Sequence, residues 1–185
     1  MEAQEQSLLP KVVRTYWETG ELKEEYFEIN GKKEGIYKIY YPNGNRMEIC
    51  NYLNGRRHGE YICFYKDGNI TEIINYHDGI IKGLRKRFYK NGNLEYTLHY
   101  INNKTTVFYE SYYENGNPHK KMSLLDEHPH GDYELYYRNG ILHIKCTYTN
   151  GLKNGILKEY NDKGKIIATR EYINGKFVNP NIVNE

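Results

Sequence analysis

The sequence predicts an all-β fold, an elongated single-layer antiparallel meander of seven 24-residue β-hairpin repeats. Three observations carry this expectation. When the chain is cut every 24 residues, all 17 glycines fall into three columns. Asn-Gly and Asp-Gly dipeptides recur between short aromatic segments with alternating neighbours, the pattern of strand, turn and strand. Aromatic residues make up 15% of the chain, with 21 tyrosines, while hydrophobic residues reach only 38%. Such a chain buries rings where others bury aliphatic side chains.

The units run without gaps over residues 11–34, 35–58, 59–82, 83–106, 107–130, 131–154 and 155–178. Residues 1–10 form an N-terminal cap or tail, and 179–185 a C-terminal tail. Gly20, Gly44, Gly68, Gly92, Gly116, Gly140 and Gly164 fill the first column completely. Asn43-Gly44, Asp67-Gly68, Asn91-Gly92, Asn115-Gly116 and Asn139-Gly140 are expected to be type I′ hairpin turns, each after an aromatic pair such as Tyr40-Tyr41. The second column follows Asn30, Asn54, Asp78, Asn102, Asp126, Asn150 and Asn174, so another turn joins each hairpin to the next. With a turn at 43–44, residue 37 faces 50 and Gly35 faces Tyr52, and the same juxtaposition recurs at Gly59/Tyr76, Gly83/Tyr100, Gly131/Tyr148 and Gly155/Tyr172. A ring over a strand glycine stabilises it. Because 24 is even, each face keeps its identity from unit to unit. About fourteen strands at ~4.8 Å spacing give a length of about 65 Å.

The unit G-x-Y-x-x-Y-Y-x-N-G…Y-x-N-G, carried from 11 to 178, resembles the MORN-type repeat in the variant form that lacks a Gly-Glu-Trp signature. The resemblance implies elongated sheets of successive hairpins that act as scaffolds or adaptors, sometimes at lipid, with some bacterial variants antitoxin-like. No cofactor is expected.

Lys+Arg 26 against Asp+Glu 24 gives a net charge of +2, which supplies no field directed at nucleic acid and disfavours a membrane partner. No apolar run approaches the roughly 20 residues of a membrane span, and the first residues lack a signal-peptide pattern. The expected location is the cytoplasm, or host cytoplasm or virion for a viral source, since the Asn, Ile, Lys and Tyr richness suits an AT-rich genome. Cys50 and Cys146 share a column and are expected about 38 Å apart, far beyond disulfide reach. With Cys63 they are expected to be thiols serving as small core residues.

Candidate chemistry concentrates in two places. The stretch PHKKMSLLDEHPHGD, residues 118–132, gathers His119, Asp126, Glu127, His128, His130 and Asp132. Its columns place Asp126 and Glu127 in a turn and the histidines in a variable polar linker, so no metal is expected. The only serines are Ser7, Ser111 and Ser123, which offer no defensible Ser–His–Asp order, and no enzyme is expected. On the ring-bearing face, Arg85 falls in a column of Val13, Tyr37, Tyr61, Tyr109, Tyr133 and Leu157, and Arg87 in one with Ile39, Cys63 and Leu135. The expected pairing sets Arg87 opposite Tyr96 and Arg85 opposite Leu98, with Tyr61 and Tyr109 flanking. These five residues, Arg85, Arg87, Tyr61, Tyr96 and Tyr109, are the candidate binding site for an acidic segment of another protein. Otherwise the arginines pair with Glu72 or Glu110.

The expected function is a non-catalytic protein–protein interaction or assembly module. An alternative is an antitoxin-like or immunity protein that binds a cognate toxin, and a weaker one is a peripheral binder of anionic lipid. Open edges near Val12–Tyr16 and Arg170–Ile173 invite a homodimer, unless SLLPKVV shields the first edge with Pro10 blocking continuation.

Overall fold

The computed structural model describes residues 9–101 and 106–179. Two units divide the chain, residues 1–81 and 82–185. The first is a meander of β1 (Lys11–Tyr16), β2 (Leu22–Ile29), β3 (Lys32–Tyr40), β4 (Arg46–Leu53), β5 (Arg56–Phe64) and β6 (Ile70–His77), each antiparallel to its sequence neighbour. The second holds β7 (Ile80–Phe88, starting two residues before the boundary), β8 (Leu94–Ile101), β9 (Thr106–Tyr112), β10 (Pro118–Leu125), β11 (His128–Tyr136) and β12 (Leu142–Thr149). After them come β13 (Leu152–Lys153), β14 (Gly155–Tyr160), β15 (Ile166–Ile173) and β16 (Lys176–Asn179). Strands β13 and β14 both pair with β12 and are one strand interrupted at Asn154. No helix occurs among the described residues, and the all-β hairpin meander stands.

The expected cross-strand register holds. Gly35 pairs with Tyr52, Gly59 with Tyr76, Gly83 with Tyr100, Gly131 with Tyr148 and Gly155 with Tyr172. The turn chemistry is the reverse of the expectation. At the first column, Gly44 N–H donates to Tyr41 O at 2.9 Å, Tyr41 N–H donates to Asn45 O at 2.8 Å, and only Gly44 takes positive φ, at 83°. That is a type I turn closed by a glycine bulge, which needs one left-handed residue where type I′ needs two. Type I′ geometry belongs to the second column, where Asn54 and Gly55 have φ of 52° and 80° and two residues separate Leu53 from Arg56. Even Asp126 and Glu127 adopt it, at 47° and 67°.

The third glycine column marks a bulge. Tyr26 pairs with Tyr37 but Phe27 pairs with Glu34, which leaves Gly35 and Ile36 as two additional residues on β3. Gly35 has φ of +70°, a conformation β-branched residues avoid. Val107 occupies this column in the fifth repeat, and there the register of β8 with β9 runs unbroken from Tyr96↔Ser111 to Ile101↔Thr106. Four residues, 102–105, then separate the paired strand ends, where two do elsewhere.

Each unit is one layer, so its most buried residues form a row along one face. Tyr37 pairs with Cys50, Tyr61 with Ile74, Tyr133 with Cys146 and Leu157 with Arg170. Tyr37, Cys50, Ile74, Cys146 and Leu157 are each at most 5% exposed. The opposite face carries a charge ladder of direct partners: Arg14, Glu25 and Lys38 in the first unit, and Glu110, Lys121, Glu134 and Lys145 in the second. Arg14–Glu25 is 2.9 Å and Lys145–Glu134 is 2.8 Å, exposed pairs of the kind that contribute up to about 1 kcal/mol each.

The cysteines are thiols in or beside the buried row. Burial, and then the Glu48 carboxylate, push the Cys50 thiol up to about 11. Cys50 is therefore expected to resist a disulfide reagent at about pH 8 and to react once urea unfolds the chain. Immediate labelling of all three cysteines in native protein contradicts this burial.

At the C-terminal edge the expected open strand, Arg170–Ile173, is covered: β16 adds to it through Ile173↔Lys176 and Tyr172↔Phe177. At the other end, residues 7 and 8 of the expected shield lie outside the described residues. Leu9 is 78% exposed and does not pack over β1.

Candidate functional site

Hydrogen bonds that step along the chain by one repeat hold the hairpin tips in line. Trp17 Nε1 donates to Tyr40 O at 3.1 Å, and the hydroxyls of Tyr41, Tyr89, Tyr113 and Tyr137 donate to the carbonyls of Phe64, Tyr112, Tyr136 and Tyr160 at 2.7–2.8 Å. Asn91 and Asn115 donate their side-chain amides to Glu114 O and Arg138 O, and their Oδ1 atoms accept from Asn93 N and Asn117 N. Asparagine at these turns is thus selected by a donor–acceptor pair, because its backbone needs no positive φ.

On the ring-bearing face of the first unit, cations lie within groups of tyrosines. Lys33 Nζ is 4.7, 3.8 and 5.4 Å from the ring centres of Tyr26, Tyr37 and Tyr52. One repeat on, the Arg57 guanidinium lies 4.7 Å from Tyr61 and 5.6 Å from Tyr76. Carboxylates complete each cluster: Tyr37 Oη donates to Glu24 at 2.9 Å and Tyr61 Oη to Glu48 at 2.6 Å. Burial, and then the Glu24 hydrogen bond, raise the Tyr37 hydroxyl well above its ordinary value, and burial with Cys63 and Glu48 does the same at Tyr61. Cation–π contacts of this kind contribute about 0.5–2 kcal/mol according to exposure. Sequence inspection missed them because the bulge at Gly35 or Gly59 is what brings residue 33 or 57 beside the rings.

Four of the five predicted site residues come together in the second unit. Arg87 pairs across the hairpin with Tyr96 and Arg85 with Leu98, as the register required. The Arg85 guanidinium is 6.0 Å from the Tyr96 ring centre, and Tyr96 and Tyr109 are 6.1 Å apart. Arg87 Nε contacts the Glu95 carboxylate at 3.0 Å. Glu95 was not among the expected partners. It occupies the irregularity between Arg87↔Tyr96 and Phe88↔Leu94, so alternation alone misplaces its side chain. Glu110 pairs with Lys121 at 3.6 Å. Tyr61 belongs to the first unit, engaged by Glu48, Cys63 and Arg57.

The histidine-rich stretch takes up local roles. His119 lies 4.5 Å from the Tyr113 ring and 3.4 Å from Ser111 Oγ. The His128 ring is 3.7 Å from where a Cβ would stand at Gly151, and His130 Nδ1 faces Asn150 N at 3.5 Å. Among the described residues no three His, Cys, Asp or Glu side chains are arranged to hold a metal ion.

A profile for the MORN repeat variant matches six successive stretches, residues 33–54, 57–78, 82–102, 109–126, 129–150 and 153–174. The chain belongs to the MORN repeat variant family. MORN repeats are interaction modules for proteins or membrane lipids, and the family is not a catalytic one. No curated protein matches the chain. The β1–β2 hairpin precedes the first matched MORN stretch yet has the same turn, with Gly20 N–H donating to Trp17 O and Trp17 N–H to Glu21 O, each at 2.9 Å.

Proposed function

We propose that this MORN repeat chain is a non-catalytic protein-binding or assembly module that holds an acidic segment of its partner at Arg85 and Arg87. The observation that carries the reading is the Arg87–Glu95 pair. The Arg87 side chain is 50% exposed and the Glu95 side chain 35%, so Arg87 already holds a carboxylate at the surface, where one from a partner can replace Glu95. Tyr96 and Tyr109 beside it supply the ring area common at protein interfaces. Large apolar side chains left open support the same reading: Val12, Phe27, Ile36 and Phe108 are 39–47% exposed.

Replacing Arg85 and Arg87 together by Gln is expected to weaken capture of the partner by more than about tenfold, the loss of roughly two charge-assisted contacts. The melting temperature should hardly change. Affinity pull-down with mass spectrometry identifies the partner, and titration compares the two proteins. Unchanged affinity, or a large loss of stability, assigns the arginines to the scaffold instead.

A further inference from the structure

We infer that Tyr133 and Tyr148 form an open receptor for the cationic end of a partner's side chain, a lysine or methylated-lysine ammonium or an arginine guanidinium. Three tyrosine pairs occupy the same two columns of the repeat. Tyr37–Tyr52 has ring centres 5.5 Å apart at 72°, Tyr61–Tyr76 6.0 Å at 77°, and Tyr133–Tyr148 5.6 Å at 62°. All three are edge-to-face. The first pair holds Lys33, with Nζ 3.8 Å from one ring centre, and the second holds Arg57 at 4.7 Å. The chain itself therefore demonstrates what this ring geometry binds.

In the third pair the column that supplies those cations carries Pro129, whose ring is short and uncharged. Among the described residues, no lysine or arginine lies over either Tyr133 or Tyr148. Lys153, directly opposite Tyr148, has Nζ 5.2 Å from the Tyr172 ring centre, and its charge still reaches Cys146. Tyr133 is flanked by its cross-strand partners Met122 and Cys146. Where Glu24 and Glu48 stand in the filled clusters, this repeat has Lys120. Its charge opposes any cation, so the advantage lies with guanidinium and methylated ammonium, which lose less hydration on binding. That the cation arrives on a protein rests on the proposed function; the receptor itself does not.

The test uses tetramethylammonium chloride, with sodium chloride at equal ionic strength as the control. Aromatic carbon–proton NMR of tyrosine-labelled protein follows each ring, assigned through Tyr133→Phe and Tyr148→Phe. Saturable shifts are expected at Tyr133 and Tyr148, with Tyr37, Tyr52, Tyr61 and Tyr76 nearly still because their own cations occupy them. Pro129→Lys supplies the missing cation from within and should weaken the response by about tenfold or more. Should that variant disturb the fold, Tyr148→Leu, which removes one wall, has to abolish the shift at Tyr133. No saturable shift at these two rings, equal movement of all six, or an undiminished response in a folded Pro129→Lys protein each overturns the inference. Because the probe is a small ion, a chain that captures its partner yet fails this titration overturns the receptor alone.

Discussion

Raising the pH from about 9 to about 12 is expected to unfold this protein cooperatively, with tyrosinate absorbance and loss of the β-sheet signal moving together. In an unfolded chain cysteine ionises near 8.5–9 and tyrosine near 10. In the fold, Cys50 is pushed up to about 11 and Tyr136 to about 12, in each case first by burial and then by a neighbouring carboxylate, Glu48 and Glu134 respectively. Burial and hydrogen bonds to Glu24 and Glu48 raise Tyr37 and Tyr61 further still. Groups raised in the folded state contribute stability that is complete below their unfolded values. That contribution is lost as the pH climbs through the folded ones, because the unfolded chain releases protons the native chain retains. Many groups act in one direction here: Tyr52, Cys63, Tyr112, Tyr133, Cys146 and Tyr148 are raised as well. On the acid side the counterparts are few and open to water. Glu25 is lowered chiefly by its Arg14 hydrogen bond and Glu134 by Lys145, so stability present above the ordinary carboxylate range is lost below it, with a smaller effect. Tyrosines that titrate near 10 while the sheet signal persists contradict the alkaline prediction.

The repeat was legible because its period is even and its glycine columns are dense, and those two features set which residues face each other. The five Gly–Tyr pairs and the Arg87↔Tyr96 pairing followed directly. The turn types were misassigned because Asn-Gly occurs in both columns. A finer signal was present: Thr19 and Lys163 fill the asparagine position of the first column. A β-branched threonine at positive φ is strongly disfavoured, so that column cannot require two left-handed residues. Pro42 in Tyr41-Pro42-Asn43-Gly44 points the same way, since proline favours the second position of a type I turn. Neither the Lys33 and Arg57 clusters nor the Arg87–Glu95 pair was legible. Each depends on a bulge that changes which side chains meet, and strict alternation contains no bulges. For the candidate site, the sequence identified the strand partners of the arginines but not their ionic ones.

Gly59→Val is expected to lower stability by about 1–3 kcal/mol, the cost of holding a non-glycine residue in a strained backbone region. In a domain of this size that is a melting-temperature loss of about 2–4 °C for each kcal/mol. Space is not the obstacle, since a Cβ at Gly59 would meet only Asn51 Nδ2, at 3.9 Å. The backbone is, because φ at Gly59 is +82°. Val107 shows the route by which the chain relieves this strain, and the variant is expected to take it. Arg57 and Arg56 now pair with Tyr52 and Leu53, and the register shifts between there and Cys50↔Tyr61. Without the bulge, the register of Cys50↔Tyr61 continues, placing residue 59 opposite Tyr52 and residue 58 opposite Leu53. Residues 54–57 then form the connection, and Arg57 leaves the rings of Tyr61 and Tyr76. Cross-strand proton contacts report the pairing, and the Tyr61 ring resonances report the departure of the guanidinium. The two glycines of this hairpin become coupled as a result. Gly55→Ala costs stability in the parent, where Gly55 must hold φ of +80° in a two-residue turn, and should cost much less beside Gly59→Val, where that turn no longer exists. If the double variant is simply additive and Tyr52 still faces Arg57, the bulge is set by something other than the glycine, and the contrast with Val107 has another cause.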